Sequence, residues 1–124
     1  MIKCLFLNVE AGDEPKVVEI EDDYVEYRKL IGCDWVDSAK RPVNGKMFRF
    51  VVDDTGAIKG KRIPSAIDIH GRIHLFGNVI IAGEENDEGE LTSLSEEDVE
   101  LIMANVIKLY PITRTKGYYL IKIG

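Results

Sequence analysis

A chain of 124 residues, 45% hydrophobic and 31% charged, is the size and composition of one globular domain, residues 1–124, with a real core. No apolar run approaches the roughly 20 residues that span a bilayer. The N-terminus turns acidic at Glu10 without a small-residue cleavage site, which argues against a signal peptide and for a cytoplasmic protein. The net charge of −6 makes nucleic acid an unlikely partner, because phosphates must be attracted and their counterions released. Cys4 and Cys33 are expected as free thiols, since nothing else indicates an oxidising compartment.

The charge is segregated along the chain. Residues 1–37 hold 10 acids and 4 bases, and residues 38–83 hold 3 acids and 8 bases. Residues 84–100 hold 9 acids and no base, and residues 101–124 hold 4 bases and no acid. A basic surface around Lys40–Arg72 is therefore compatible with an acidic whole, as is a plain solvated surface on which the segments offset one another.

In chain order, Lys3–Val9 is rich in Leu, Phe and Val and predicts a strand. Gly12 and Pro15 break it, and Lys16–Ile20 returns as the second arm of a hairpin. Asp23 is a good N-cap for a helix whose apolar stripe is Tyr24, Tyr27, Leu30 and Ile31, with Gly32 as its C-terminal stop. The segment Cys33–Ser38 alternates and predicts a strand with Trp35 in the core. Lys40-Arg41-Pro42 interrupts it, and Asn44-Gly45 turns the chain into an apolar run at Met47–Val52.

The stretch from Val51 to Gly83 is what the rest is organised around. Two apolar runs, Met47–Val52 and Leu75–Ile81, predict central strands of one sheet, with Gly77 as a bulge or close approach. Between them Gly56–Arg62 is polar, and Pro64 argues for a loop, turn or short helix rather than a central strand. Asp68–Leu75 predicts two extended pieces around a tight turn at His70-Gly71. Residues 83–91 form an acidic loop. Ser95, with Glu96, Glu97 and Asp98 in the first turn and Leu94 positioned as a hydrophobic staple, starts a second helix. Its apolar face runs Val99, Ile102, Met103, Val106, Ile107 and Tyr110, up to Pro111. Gly117–Ile123 is a last strand.

This order implies an α+β fold: a largely antiparallel sheet of about five to seven strands with two helices on one face. A terminal strand such as Gly117–Ile123 at a sheet edge would allow a homodimer.

Chemistry-bearing patterns are weak. His70 and His74 have the spacing of helical zinc ligands, but Gly71 lies between them and no third ligand is near, so no metal is expected. Gly56–Arg62 has three residues between its glycines and ends Lys-Arg, which is not a phosphate loop. The residues that could still contact an anion are Lys59, Lys61, Arg62, Ser65, His70 and Arg72. The acids of 84–100 lack the order of a calcium loop. With no nucleophile–base set, a non-catalytic protein without a cofactor is expected.

Several short motifs in fixed order do carry a resemblance. They are Glu14-Pro15-Lys16-Val17-Val18-Glu19-Ile20, the Asp53-Asp54-Thr55-Gly56 turn, the Gly77–Gly83 strand and the Thr92–Glu97 helix start. Across about residues 2–107 the chain resembles the small proteins of "domain of unknown function 3846". It departs at Pro64-Ser65-Ala66, where the family pattern has an Asn-Arg pair and an apolar residue, and Gly117–Ile123 extends past the usual end. The resemblance implies an accessory protein of a bacteriophage or other mobile element, acting in the bacterial cytoplasm. Two functional expectations follow: an interaction protein that binds a host protein, or a binder of a small anionic ligand such as a nucleotide.

Overall fold

The computed structural model describes residues 1–54, 63–110 and 117–124. Within them the fold is α+β, with strands β1 (Ile2–Leu7), β2 (Lys16–Ile20), β3 (Val36–Val43), β4 (Lys46–Asp53), β5 (Pro64–Ile67), β6 (Ile73–Phe76), β7 (Val79–Ala82), β8 (Val106–Leu109) and β9 (Tyr118–Lys122). Helix α1 (Tyr24–Ile31) follows β2, and α2 (Glu96–Met103) follows β7.

The strands divide between two sheets rather than forming the single sheet expected. One is ordered β2-β1-β7-β4-β3 with every pairing antiparallel. The other is ordered β6-β5-β9-β8, with one parallel pairing between β5 and β9. The apolar run 75–81 splits between them because Gly77 takes φ 82° and its N–H bonds to Ile63 O at 2.8 Å. Leu75 and Phe76 end in β6, while Val79–Ala82 become the centre of the five-stranded sheet. All four β7 residues are buried, as a strand covered on both faces requires.

The pleat assigns the two faces. Leu5 and Leu7 of β1, Phe48, Phe50 and Val52 of β4, and Ile81 of β7 point toward the four-stranded sheet. There they meet Ala66, Leu75, Ile121 and Ile123, with Ile102 of α2. On the opposite face Cys4, Phe6, Val51 and Ile80 receive Tyr27 and Ile31 of α1. The helices therefore cover different faces of the five-stranded sheet, not one. Each residue of β7 is needed by one core or the other.

Four further expectations are corrected. The second helix stops at Met103, and Val106–Leu109 is strand β8. Its two β-branched residues fit both a helix stripe and a strand, and pairing with β9 decides for the strand. Pro42 does not interrupt β3, because β3 is an edge strand and a missing N–H costs nothing on an open edge. Pro64 opens β5 at its first residue, beside a register shift, so this segment is a strand and not a loop or helix. Strand β9 lies between β5 and β8, which removes the edge on which a dimer through Gly117–Ile123 would depend.

Candidate functional site

The site is built at the start of α1. Asp23 Oδ1 accepts from Val25 N at 2.9 Å as the N-cap, and Gly32 closes the helix at φ 81°. The neighbouring Asp22 reaches further. One of its carboxylate oxygens accepts from the Tyr27 hydroxyl, and the other accepts from Leu91 N at 2.9 Å. Burial, followed by the bond to Asp22 and its charge, holds the Tyr27 phenol above its ordinary range.

The second Asp22 bond has a consequence for the whole surface. Leu91 closes the acidic loop, which is itself ordered. Asn86 Oδ1 accepts from the N–H groups of Glu88 and Glu90, both at 3.0 Å, and Glu85 bridges Leu91. Thr92 Oγ1 donates to Glu84 O at 2.8 Å. Asp22 thereby fastens the loop of residues 84–90, with five acids and no base, to segment 21–37, with six acids and two bases. Only part of that charge is neutralised. Lys40 pairs with Glu84 at 3.1 Å, Arg49 with Glu85 at 3.7 Å, and Lys29 with Glu26 at 3.8 Å.

Large apolar side chains of the acidic segment 21–37 are exposed. Trp35 is 65% exposed, Val25 50% and Tyr24 41%. Trp35 was expected in the core. Its backbone is fixed, with its carbonyl accepting from Asp54 N at 3.0 Å and from Cys33 Sγ at 3.3 Å, while the ring is left to solvent. Two hollows flank α1. One of about 440 Å³ is lined by Val25, Arg28, Lys29, Gly32, Cys33 and Asp34. The other, of about 220 Å³, lies between α1, the β3–β4 surface and Leu91. Trp35 sits in the chain between Asp34 of the first hollow and Val36 of the second.

The adjoining edge of β3 is partly blocked against another strand. Because the Trp35 carbonyl faces β4, the backbone groups of Ser38, Lys40 and Pro42 face outward. Ser38 N donates to Asp37 Oδ1 at 2.9 Å, and Arg41 Nη1 donates to Lys40 O at 2.9 Å. Pro42 has no N–H, and its carbonyl accepts from Gly124 N at 2.8 Å. Such devices discourage edge-to-edge pairing.

The residues singled out for anion contact are not gathered by what is described. Lys59, Lys61 and Arg62 lie outside the described residues. Ser65 is wholly buried in β5, its hydroxyl without a partner. His70 and Arg72 are exposed on the β5–β6 turn, whose backbone donors are already taken: His70 N and Arg72 N both donate to Asp68 Oδ1, at 2.8 and 3.0 Å. His74 Nε2 lies 2.9 Å from Asp68 Oδ2. The Asp68 carboxyl is held down at about 2, by His74 first and then by the Arg72 and His70 N–H groups. Among the described residues, no group of three or more His, Cys, Asp or Glu could hold a metal ion. No described helix is long and apolar enough to cross a membrane.

The sequence profile of the domain of unknown function DUF3846 matches residues 2–107. The chain belongs to this family. The match runs from β1 to the start of β8, so it takes in α1, Trp35 and the acidic loop and leaves out β9. No curated protein and no solved structure matches the chain.

Sequence reasoning missed this site because its parts are about 70 residues apart: Asp22 and Leu91 carry no mark of their pairing. One signal was present for Trp35. It is flanked by Asp34 and Asp37, and two acids that close to a tryptophan fit an exposed position better than a buried one.

Proposed function

We propose that the protein is a non-catalytic interaction protein, and that its acidic face around Trp35 docks a basic protein. The accessory role in a phage or other mobile element, in the bacterial cytoplasm, belongs to the same proposal and is supported by the family resemblance. The observation that carries the docking reading is the Asp22–Leu91 bond. It fastens together two acidic segments, one of which carries an exposed tryptophan, tyrosine and valine. Exposed Trp and Tyr at the centre of a charged surface are the residues that most often dominate protein association. The surrounding carboxylates would accelerate encounter with a basic partner and select against acidic ones.

Immobilised protein and its Trp35→Ala variant, exposed to lysate of the source cell at low and high salt, test this directly. A basic protein should be retained by the native chain and released as salt rises. Loss of a central tryptophan should weaken retention about 30-fold, the effect of roughly 2 kcal/mol. Retention of acidic proteins, retention unchanged by Trp35→Ala, or no retention at all would each overturn the reading.

The alternative, a small anionic ligand such as a nucleotide at Lys59, Lys61, Arg62, Ser65, His70 and Arg72, has less support. The turn donors that would meet an anion already hold Asp68, and the Ser65 hydroxyl is enclosed. Its check is retained ligand mass in native mass spectrometry that disappears on charge reversal at Lys61 and Arg62.

A further inference from the structure

The 220 Å³ hollow beside α1 has a division of chemistry that the docking reading does not require. Its floor is apolar: Val36, Val51 and Leu91, of which Val51 and Leu91 are buried. Tyr24 and Tyr27 form an aromatic wall. Of the charged residues lining it, Asp22 and Glu85 offer carboxylates; Asp37 lies at the rim, its side chain on the opposite face of β3 with its partner Val52, and no lysine or arginine is among the lining residues.

These features select a ligand. An anion would meet the Asp22 and Glu85 carboxylates, and the cations that touch lining residues are engaged already, Arg49 with Glu85 at 3.7 Å and Arg28 over the Tyr24 ring at 5.6 Å. A neutral apolar group would fill the floor but leave the carboxylates to be desolvated without compensation. A cation on an apolar stem satisfies both halves, the stem against Val36, Val51 and Leu91, and the N–H groups toward the carboxylates and tyrosine faces. Size points the same way. Sites for drug-sized ligands begin at roughly 300 Å³, so this hollow accommodates about one side chain.

The carboxylates are also held in place before any ligand arrives. The Asp22 carboxylate is fixed by the Tyr27 hydroxyl and Leu91 N, and Glu85 has its backbone set by the bridge to Leu91 and its carboxylate paired with Arg49. Asp22 is thus both the tie that assembles the acidic face and a wall of the hollow. Little ordering entropy remains to be lost on binding.

We infer that this hollow is the receptor for one lysine or arginine side chain of the docking partner, gripped between Tyr24, Tyr27 and the Asp22 and Glu85 carboxylates. The inference rests on the docking reading for the identity of the ligand's owner, and on the hollow alone for its chemistry.

Titration of ¹⁵N-labelled full-length protein with N-acetyl-lysine amide, N-acetyl-arginine amide and the neutral N-acetyl-norleucine amide tests it without a partner in hand. The two cationic probes should shift the amide signals of residues 24–27, 36–38 and 85–91 in a saturable, millimolar process. Norleucine should bind at least about tenfold more weakly. Glu85→Gln keeps a hydrogen-bond acceptor and the side-chain volume, so the fold should persist with an unchanged spectrum elsewhere. The preference for the cationic probes should fall about tenfold. Equal binding of norleucine, a preference that survives Glu85→Gln, or no response to either cationic probe would overturn the inference. The two readings fail separately. Partner capture that depends on Trp35 while the hollow is silent removes only the hollow, and a responsive hollow without any basic partner removes only the docking face.

Discussion

Gly83 is where the acidic loop leaves β7, and it has no room for a side chain. A methyl group there would press on Thr92 Oγ1 and lie 3.0 and 3.1 Å from the Thr92 and Ser93 carbonyl oxygens. Those carbonyls cannot swing away easily, because Gly83 N donates to Thr92 O at 2.9 Å and Leu94 N to Lys3 O at 2.8 Å. The backbone of Gly83 is not in the left-handed region, so alanine would otherwise stabilise by about 0.4–1 kcal/mol through the unfolded chain. Overpacking costs about 1–3 kcal/mol, and the balance is a net loss of about 1–2 kcal/mol. For a chain of this length that lowers Tm by about 3–10 °C. Thr92→Ala alone should cost about 1 kcal/mol for the lost bond to Glu84 O. The double variant removes one of the three clashing atoms, so it should be more stable than the summed singles by about 0.5–1.5 kcal/mol. Urea unfolding of the four proteins measures the cycle. A Gly83→Ala protein as stable as the native one, or strict additivity, would refute the steric argument and the placement of the loop against β7.

Three other outcomes are expected. The Asp68 carboxyl lies at about 2 in the folded protein against an ordinary 3.8, so its contribution is complete above about pH 4 and is lost as pH falls toward 2. Acid unfolding should therefore be shallower in Asp68→Asn over that window, and identical curves would remove the role of the turn. Burial, with a smaller effect of the Asp22 charge, pushes the Cys4 thiol up to about 12, so a thiol reagent at pH 8 should label half-buried Cys33 first and Cys4 only on unfolding. That raised value also means stability falls as pH climbs from 9 toward 12. At α2, Asp98 returns the Ser95 cap and pairs with Lys46; burial opposes its charge, but those partners outweigh it and keep the carboxyl below its ordinary range. Asp98→Ala should cost about 1–2 kcal/mol through the cap, against under about 1 kcal/mol for Lys46→Met, whose ammonium is half exposed. Equal losses by thermal denaturation would show that the ion pair, not the cap, is what matters there.

The residues that decided local structure could be read directly. Asp23 and Gly32 bound α1, Ser95 and Leu94 start α2, Asn44-Gly45 turns the β3–β4 hairpin, and His70-Gly71 turns β5 into β6. Each acts on neighbours within a few residues, through a side-chain cap or a positive φ, so its meaning survives in any fold. Errors came where one short pattern served two structures. Val106-Ile107 continues a helical stripe as well as it forms β8, and only the presence of β9 beside it favours the strand. Leu75–Ile81 reads as one strand until Gly77 sends its halves to different sheets.

What the sequence alone determined is therefore the caps, the turns, the α+β class and the division of charge into four blocks. Tertiary structure decided which blocks meet. Leu5 pairs with Ile81, and Asp22 with Leu91, across about 70 residues or more; such partners are chosen by burial of both faces of β7, a requirement no local window contains. The same packing that closes the two cores leaves Trp35 outside them, 65% exposed on the acidic segment 21–37.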